Sequence, residues 1–121
     1  MSVVVLAGGL SAEREVSLRS GRRLAEALRD TGYEVLVLDL DGNLLPTLRA
    51  ERPEVVIPLV HGAAGEDGSL ADVLEALDLP YVGSPPLACR VAFDKAIAKG
   101  IVAHDGLQVA RSYSLPHGVF R

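Results

Sequence analysis

Ser2-Val3-Val4-Val5-Leu6-Ala7, running straight into Gly8-Gly9-Leu10-Ser11-Ala12-Glu13-Arg14-Glu15-Val16-Ser17, is the stretch that decides the architecture of this chain. The first six residues are valine-rich and too few for a stable helix, which predicts a strand buried on both faces, as in parallel sheets. Glu15 to Thr31 then places Leu18, Gly21, Ala25 and Leu28 on one helical stripe, with arginines and acids opposite and Gly32 as the stop. A strand, a glycine-containing loop and a helix in that order open an α/β fold, in which ligands bind beyond the carboxyl ends of the strands.

The pattern repeats downstream. Glu34 to Leu40 predicts a second strand, Asp41-Gly42-Asn43 a turn, Leu44 to Glu51 a short helix and Glu54 to Val60 a third strand. The second polar loop, His61-Gly62-Ala63-Ala64-Gly65-Glu66-Asp67-Gly68, leads into a helix from Ser69 to Leu77 that buries Leu70, Val73, Leu74 and Leu77. Pro80 to Val82 predicts a short fourth strand. Ser84 and Pro85 then mark the start of a helix running from Pro86 to about Lys99. Alternation of this kind predicts a Rossmann-like parallel sheet with helices on both faces. Leu107 to Leu115 has the content of a further strand, interrupted by Arg111 and Ser112.

At 121 residues the chain fits one domain, or one domain and part of another. A formal charge of −4 leaves no basic footprint for nucleic acid. Cys89, the single cysteine, excludes an internal disulfide. The first residues lack the basic flank and long apolar core of a signal peptide, and no apolar run approaches the roughly 20 residues needed to span a bilayer. The expectation is a cytoplasmic protein without nucleic-acid or membrane partners.

Both polar loops leave the same sheet edge, where they supply carboxylates, a histidine and helix-start amides suited to a small charged ligand. The first is not a dinucleotide turn: Gly8 and Gly9 are adjacent, Gly-x-Gly-x-x-Gly spacing is absent, and Glu13 stands where pyrophosphate needs room. Asp39, at the end of the second strand, carries little weight alone as a ribose-binding acid. Glu13 and Glu15 each have two readings, as complements of the helix dipole or as a partner for an ammonium group. His61 stands among glycines that let a backbone approach a ligand, and Glu66 is placed to orient its ring. No metal-ligand spacing accompanies them. Among ten arginines the only lysines are Lys95 and Lys99, a choice that favours a point-charge role for Lys95.

Gly8-Gly9-Leu10-Ser11-Ala12-Glu13-Arg14-Glu15-Val16-Ser17 with Ser20-Gly21, His61-Gly62 through Gly65-Glu66-Asp67-Gly68 with Leu74-Glu75, Pro80-Tyr81-Val82-Gly83-Ser84 and Asp94-Lys95 together resemble the amino-terminal domain of the D-alanine–D-alanine ligase family. The motifs stand in family order across residues 2–99. The resemblance implies a pre-ATP-grasp N-terminal α/β substrate-binding domain at 1–84. It also implies a linking helix and the beginning of an incomplete ATP-grasp central domain at 85–121. The implied reaction uses ATP and magnesium to turn one D-alanine carboxylate into an acyl phosphate, which the amine of a second D-alanine attacks, in peptidoglycan precursor synthesis. Carried over by position, Glu13 holds the ammonium of the first D-alanine, Val16 lines that subsite, His61 lies near the substrate carboxylate and Lys95 reaches ATP phosphates. A homodimer is implied as well. The chain departs from the family pattern at Ala71-Asp72, Ala88-Cys89-Arg90 and Ala110-Arg111-Ser112, outside both loops. Without the magnesium carboxylates and most of the ATP site, these residues alone are expected to be inactive. A stand-alone module that binds an amino acid or anion without catalysis is the competing expectation.

Overall fold

The computed structural model describes residues 2–116 and 118. Strands β1 (Ser2–Leu6), β2 (Glu34–Leu38) and β3 (Val55–Pro58) lie parallel in the order β2-β1-β3. The helices are α1 (Arg14–Asp30), α2 (Leu44–Glu51), α3 (Ala63–Glu66), α4 (Ser69–Ala76), α5 (Pro86–Phe93) and α6 (Lys95–His104).

β1 takes the centre because every residue from Val3 to Leu6, and Ala7 after it, is apolar and buried. Its side chains alternate between faces. Val4 and Leu6 join Leu44 and Leu48 of α2, Leu70 and Leu74 of α4, and Val56, Val60 and Leu79 in one cluster. The opposite face receives α1, whose Gly21 sits on Ala7 and Val5. The expected α/β sheet covered on both faces is therefore present.

Several details differ from the sequence reading. The buried line of α1 is Ser17, Gly21 and Ala25, while Leu18 and Leu28 are half-buried. Three small residues let the helix axis approach the sheet, so the leucines flank the contact instead of filling it. The fourth strand reduces to one parallel bridge between Val56 and Tyr81, flanked by Val56 N–H on the Pro80 carbonyl at 2.8 Å and Val82 N–H on the Val56 carbonyl at 2.9 Å. Pro80 has no N–H to donate and Gly83 turns away at φ 145°, so the ladder stops there. The second polar loop contains the single-turn α3.

The helix expected from Pro86 to Lys99 is two helices. Asp94 adopts extended backbone (φ −82°, ψ 103°) and its carboxylate accepts from the amides of Ala96 and Ile97, both at 3.0 Å. That cap ends α5 and starts α6, which continues to His104. Ser84 does not cap α5; Pro85 occupies that position with no side-chain bond. Residues 107–116 form no strand, having no neighbouring sheet edge to pair with. α5 packs on α3 and α4 and carries the Arg90–Asp72 ion pair, whereas α6 packs chiefly on α5.

Gly21→Ala separates propensity from packing. Helix propensity alone favours alanine by about 1 kcal/mol. A Cβ at this position, however, would lie 2.5 Å from the Ala7 Cβ, and overpacking costs about 1–3 kcal/mol. The expected outcome in urea denaturation is a net loss of stability, recovered in part by adding Ala7→Gly. A stabilised Gly21→Ala would show that α1 does not press on β1 as described.

Candidate functional site

Because the three strands are parallel and in register, β1, β2 and β3 all discharge their chains at one edge. Residues 7–13, Asp39 and residues 59–62 meet there. The buried Ser17 hydroxyl accepts a hydrogen bond from the Gly8 N–H at 2.9 Å and donates to the Leu59 carbonyl at 2.6 Å, joining the ends of β1 and β3. Gly62 (φ 83°) approaches so closely that a Cβ on it would lie 2.8 Å from the Ser11 Cβ. The two polar loops are therefore in contact.

Asp39 fixes the first loop from the other side. Its Oδ1 accepts from the Gly9 N–H at 2.8 Å and the Leu40 N–H at 2.7 Å, and its Oδ2 pairs with the Arg14 guanidinium at 2.6 Å. Arg14 Nη1 also donates to the Gly9 carbonyl at 2.9 Å. The Gly9 residue is thus gripped at both its N–H and its C=O. Burial by itself raises the Asp39 carboxyl, but the bonds from Gly9, Arg14 and Leu40 outweigh it and hold its pKa below the usual carboxylate range. This use of Asp39 replaces the ribose-binding possibility.

Glu13 is the cap residue of α1, yet its side chain makes no capping bond. Its N–H donates to Ser11 Oγ at 3.1 Å and its carbonyl accepts from the Ser17 N–H at 3.0 Å, so the backbone is anchored while the exposed carboxylate has no partner among the described residues. Val16, one turn on, is 51% exposed, an apolar side chain left uncovered beside it. Glu15 lies in the first turn, where a carboxylate complements the helix dipole.

On the second loop, His61 is half-buried and its Nδ1 lies 3.6 Å from Glu66 Oε1, while Glu66 Oε2 accepts from the Gly62 N–H at 3.1 Å. Glu66 thereby braces the turn and faces the ring. Asp67 is spent differently: it accepts from the Ser69 N–H at 2.8 Å, and bonds from the Ser69 hydroxyl and amide hold its carboxyl below the usual range. The amides of Gly8, Gly9 and Gly62 are likewise occupied, by Ser17, Asp39 and Glu66, so these three are not among the amides open to a charged ligand.

The fold brings Glu13, Val16, His61 and Glu66 to one edge. Lys95 stands apart from that cluster at the start of α6, exposed and with no ion pair among the described residues. Cys89 is half-buried, with its thiol 3.4 Å from the Ser84 carbonyl, and borders a cavity of about 120 Å³ with Pro58, Leu70 and Tyr81. No group of three His, Cys, Asp or Glu residues among the described residues is arranged for a metal. Sequence reasoning overlooked Ser17, Arg14 and the scaffolding role of Asp39. The available signal was the serine on the apolar stripe of α1, a position where an unpaired hydroxyl is disfavoured.

The family model for the D-ala D-ala ligase N-terminus matches residues 44–84, which include His61 and Glu66. The D-alanine–D-alanine ligase of Anaeromyxobacter dehalogenans is 50% identical over 108 residues, covering 89% of this chain and 35% of that protein. The ligase of Desulforudis audaxviator is 47% identical over 114 residues, covering 94% and 37%. Among solved structures, the Bacillus anthracis D-alanine–D-alanine ligase complexed with ATP superposes with TM-score 0.78 at 31% identity, covering 89% of this chain and 38% of that one. The Aeromonas hydrophila enzyme gives 0.80 at 25% identity, covering 98% and 51%. The chain spans little more than a third of the length of the curated relatives it matches.

The depressed pKa of Asp39 has a stability consequence with a definite sign. A carboxylate whose folded pKa lies below its unfolded value of about 3.9 stabilises the fold above that value and loses the contribution as pH falls through the folded pKa. Asp39→Asn is therefore expected to be less stable than the parent at neutral pH, with the gap closing below about pH 4. Thermal melts of both proteins across pH check this; a gap that does not close on acidification would mean that the Asp39 charge does not brace the loop.

Proposed function

We propose that this chain, which has the sequence and fold of the amino-terminal domain of D-alanine–D-alanine ligases, supplies the first-substrate subsite of an ATP-dependent enzyme joining two D-alanines through an acyl phosphate. The observation that carries this reading is Glu13: a carboxylate anchored through its backbone, unpaired at its side chain, and flanked by exposed Val16 where the His61 loop meets the Ser11 loop.

In this reading Glu13 accepts N–H bonds from the ammonium of the first D-alanine, and Val16 takes its apolar surface. His61 donates toward the substrate carboxylate, and Glu66 sets the ring. Donors fixed before the reaction stabilise charge as it develops and lose nothing to reorganisation. Lys95, exposed and unpaired, fits a contact with ATP phosphates. ATP supplies the phosphoryl group that activates the carboxylate. Among the described residues no group of carboxylates is arranged to hold a metal, and the reading assigns the magnesium ligands to other parts of the enzyme. The division at 84/85 belongs to the same proposal, supported by α6 resting chiefly on α5 and by the irregular residues 107–116. So do a homodimer, a cytoplasmic location and a role in peptidoglycan precursor synthesis. No described helix is long and apolar enough to cross a membrane. A binding module without catalysis is not favoured, since the matched relatives are ligases along nearly the whole of this chain.

The test contrasts two acids in the full-length enzyme. Glu13→Gln keeps the shape but removes the charge opposite an ammonium, a loss of about 2–5 kcal/mol, seen as a drop in kcat/KM for D-alanine of about 30-fold or more. Glu15→Gln is expected to cost only about 0.3–1 kcal/mol, through the helix dipole. Thermal melting controls for misfolding. Equal small losses at both positions would make Glu13 an ordinary helix-start acid.

A further inference from the structure

Arg14 is the immediate neighbour of Glu13, and a guanidinium beside a carboxylate meant for an ammonium is a problem the structure solves. Left free, Arg14 would place a full positive charge within reach of the cation the site is to receive. Instead it is drawn to the sheet edge, where Asp39 Oδ2 pairs with it at 2.6 Å and the Gly9 carbonyl accepts from it at 2.9 Å. Gly8 makes this possible, since a Cβ there would collide with the Asp39 carboxylate.

We propose that Asp39 is a positioning residue for the ammonium subsite: it sequesters the Arg14 guanidinium and keeps it from opposing the incoming cation. This rests on the reading of Glu13 given above. Asp39 itself touches no substrate, and its effect passes through Arg14 and Gly9. The charges of Asp39 and Arg14 cancel, so the site presents the unpaired carboxylate of Glu13 without a competing cation. A purely mechanical clamp makes a different claim, that any break of the pair harms the site equally, and the two are separable by charge.

The experiment uses the full-length enzyme and KM for the first D-alanine, with melting temperatures measured alongside. Asp39→Asn strands the Arg14 charge and is expected to raise KM roughly five-fold or more, consistent with one unit charge near a surface site, with a smaller change in kcat. Adding Arg14→Gln removes that charge and is expected to return KM most of the way to the parent value, although the double variant still lacks the ion pair and melts as low as Asp39→Asn. A double variant whose KM equals or exceeds that of Asp39→Asn overturns the proposal in favour of a structural clamp. Glu13→Gln is the third arm. Unchanged KM in that variant overturns the reading of Glu13 and the proposal with it, whereas a raised KM there with an unchanged KM in Asp39→Asn overturns the positioning role alone.

Discussion

The hydroxyl of Ser17 is the joint on which the sheet edge depends. It is fully buried, accepts from Gly8 and donates to Leu59, and so satisfies two backbone groups that leave different strands at a point where neither ladder can reach them. An unmet N–H or carbonyl there would cost about 1–3 kcal/mol each. Because the serine belongs to α1, the same contact also sets the depth of that helix against β1. Gly21 and Ala25 continue the close approach one and two turns later. The position of Glu13, one turn before Ser17 and bonded to it through the backbone, follows from that seat.

Several acidic side chains are consumed by the backbone, while that of Glu13 is not. Asp39 holds Gly9, Leu40 and Arg14; Asp67 holds Ser69; Asp94 holds Ala96 and Ile97; Glu66 holds Gly62 and faces His61. Short carboxylates bond readily to nearby amides, which is why they suit turns and caps. Glu13 differs from these: its N–H donates to the Ser11 hydroxyl, and its carboxylate makes no capping bond. A ligand bearing a positive charge can pair with it without first displacing an internal partner.

Much of this was legible along the chain. The valine run could only be a doubly buried strand, the 3.6-residue stripes located α1, α2 and α4, and the placement of two glycine-containing loops after β1 and β3 put His61 and Glu13 on one edge. The two roles proposed for Arg14 and Asp39 were not legible, since they lie 25 positions apart in sequence and neither residue type nor spacing pairs them. The break at Asp94 was hidden for another reason. Apolar periodicity runs smoothly through Ile97 and Ile101, and only the local choice of the carboxylate to bond Ala96 and Ile97 ends one helix and begins another.

By itself, then, the sequence determined the class of fold and most of the order of its elements, because these follow from local periodicity and from residue types at short spacing. Tertiary structure alone decided which loop amides are occupied, which acids are spent on the backbone, and that the first polar loop is braced from β2 by Asp39 and from β3 through Ser17. Those outcomes depend on which strands become neighbours. Pairing in the order β2-β1-β3 brings Leu38, Leu6 and Pro58 side by side, and only then do residues distant in the chain compete for the same hydrogen bonds.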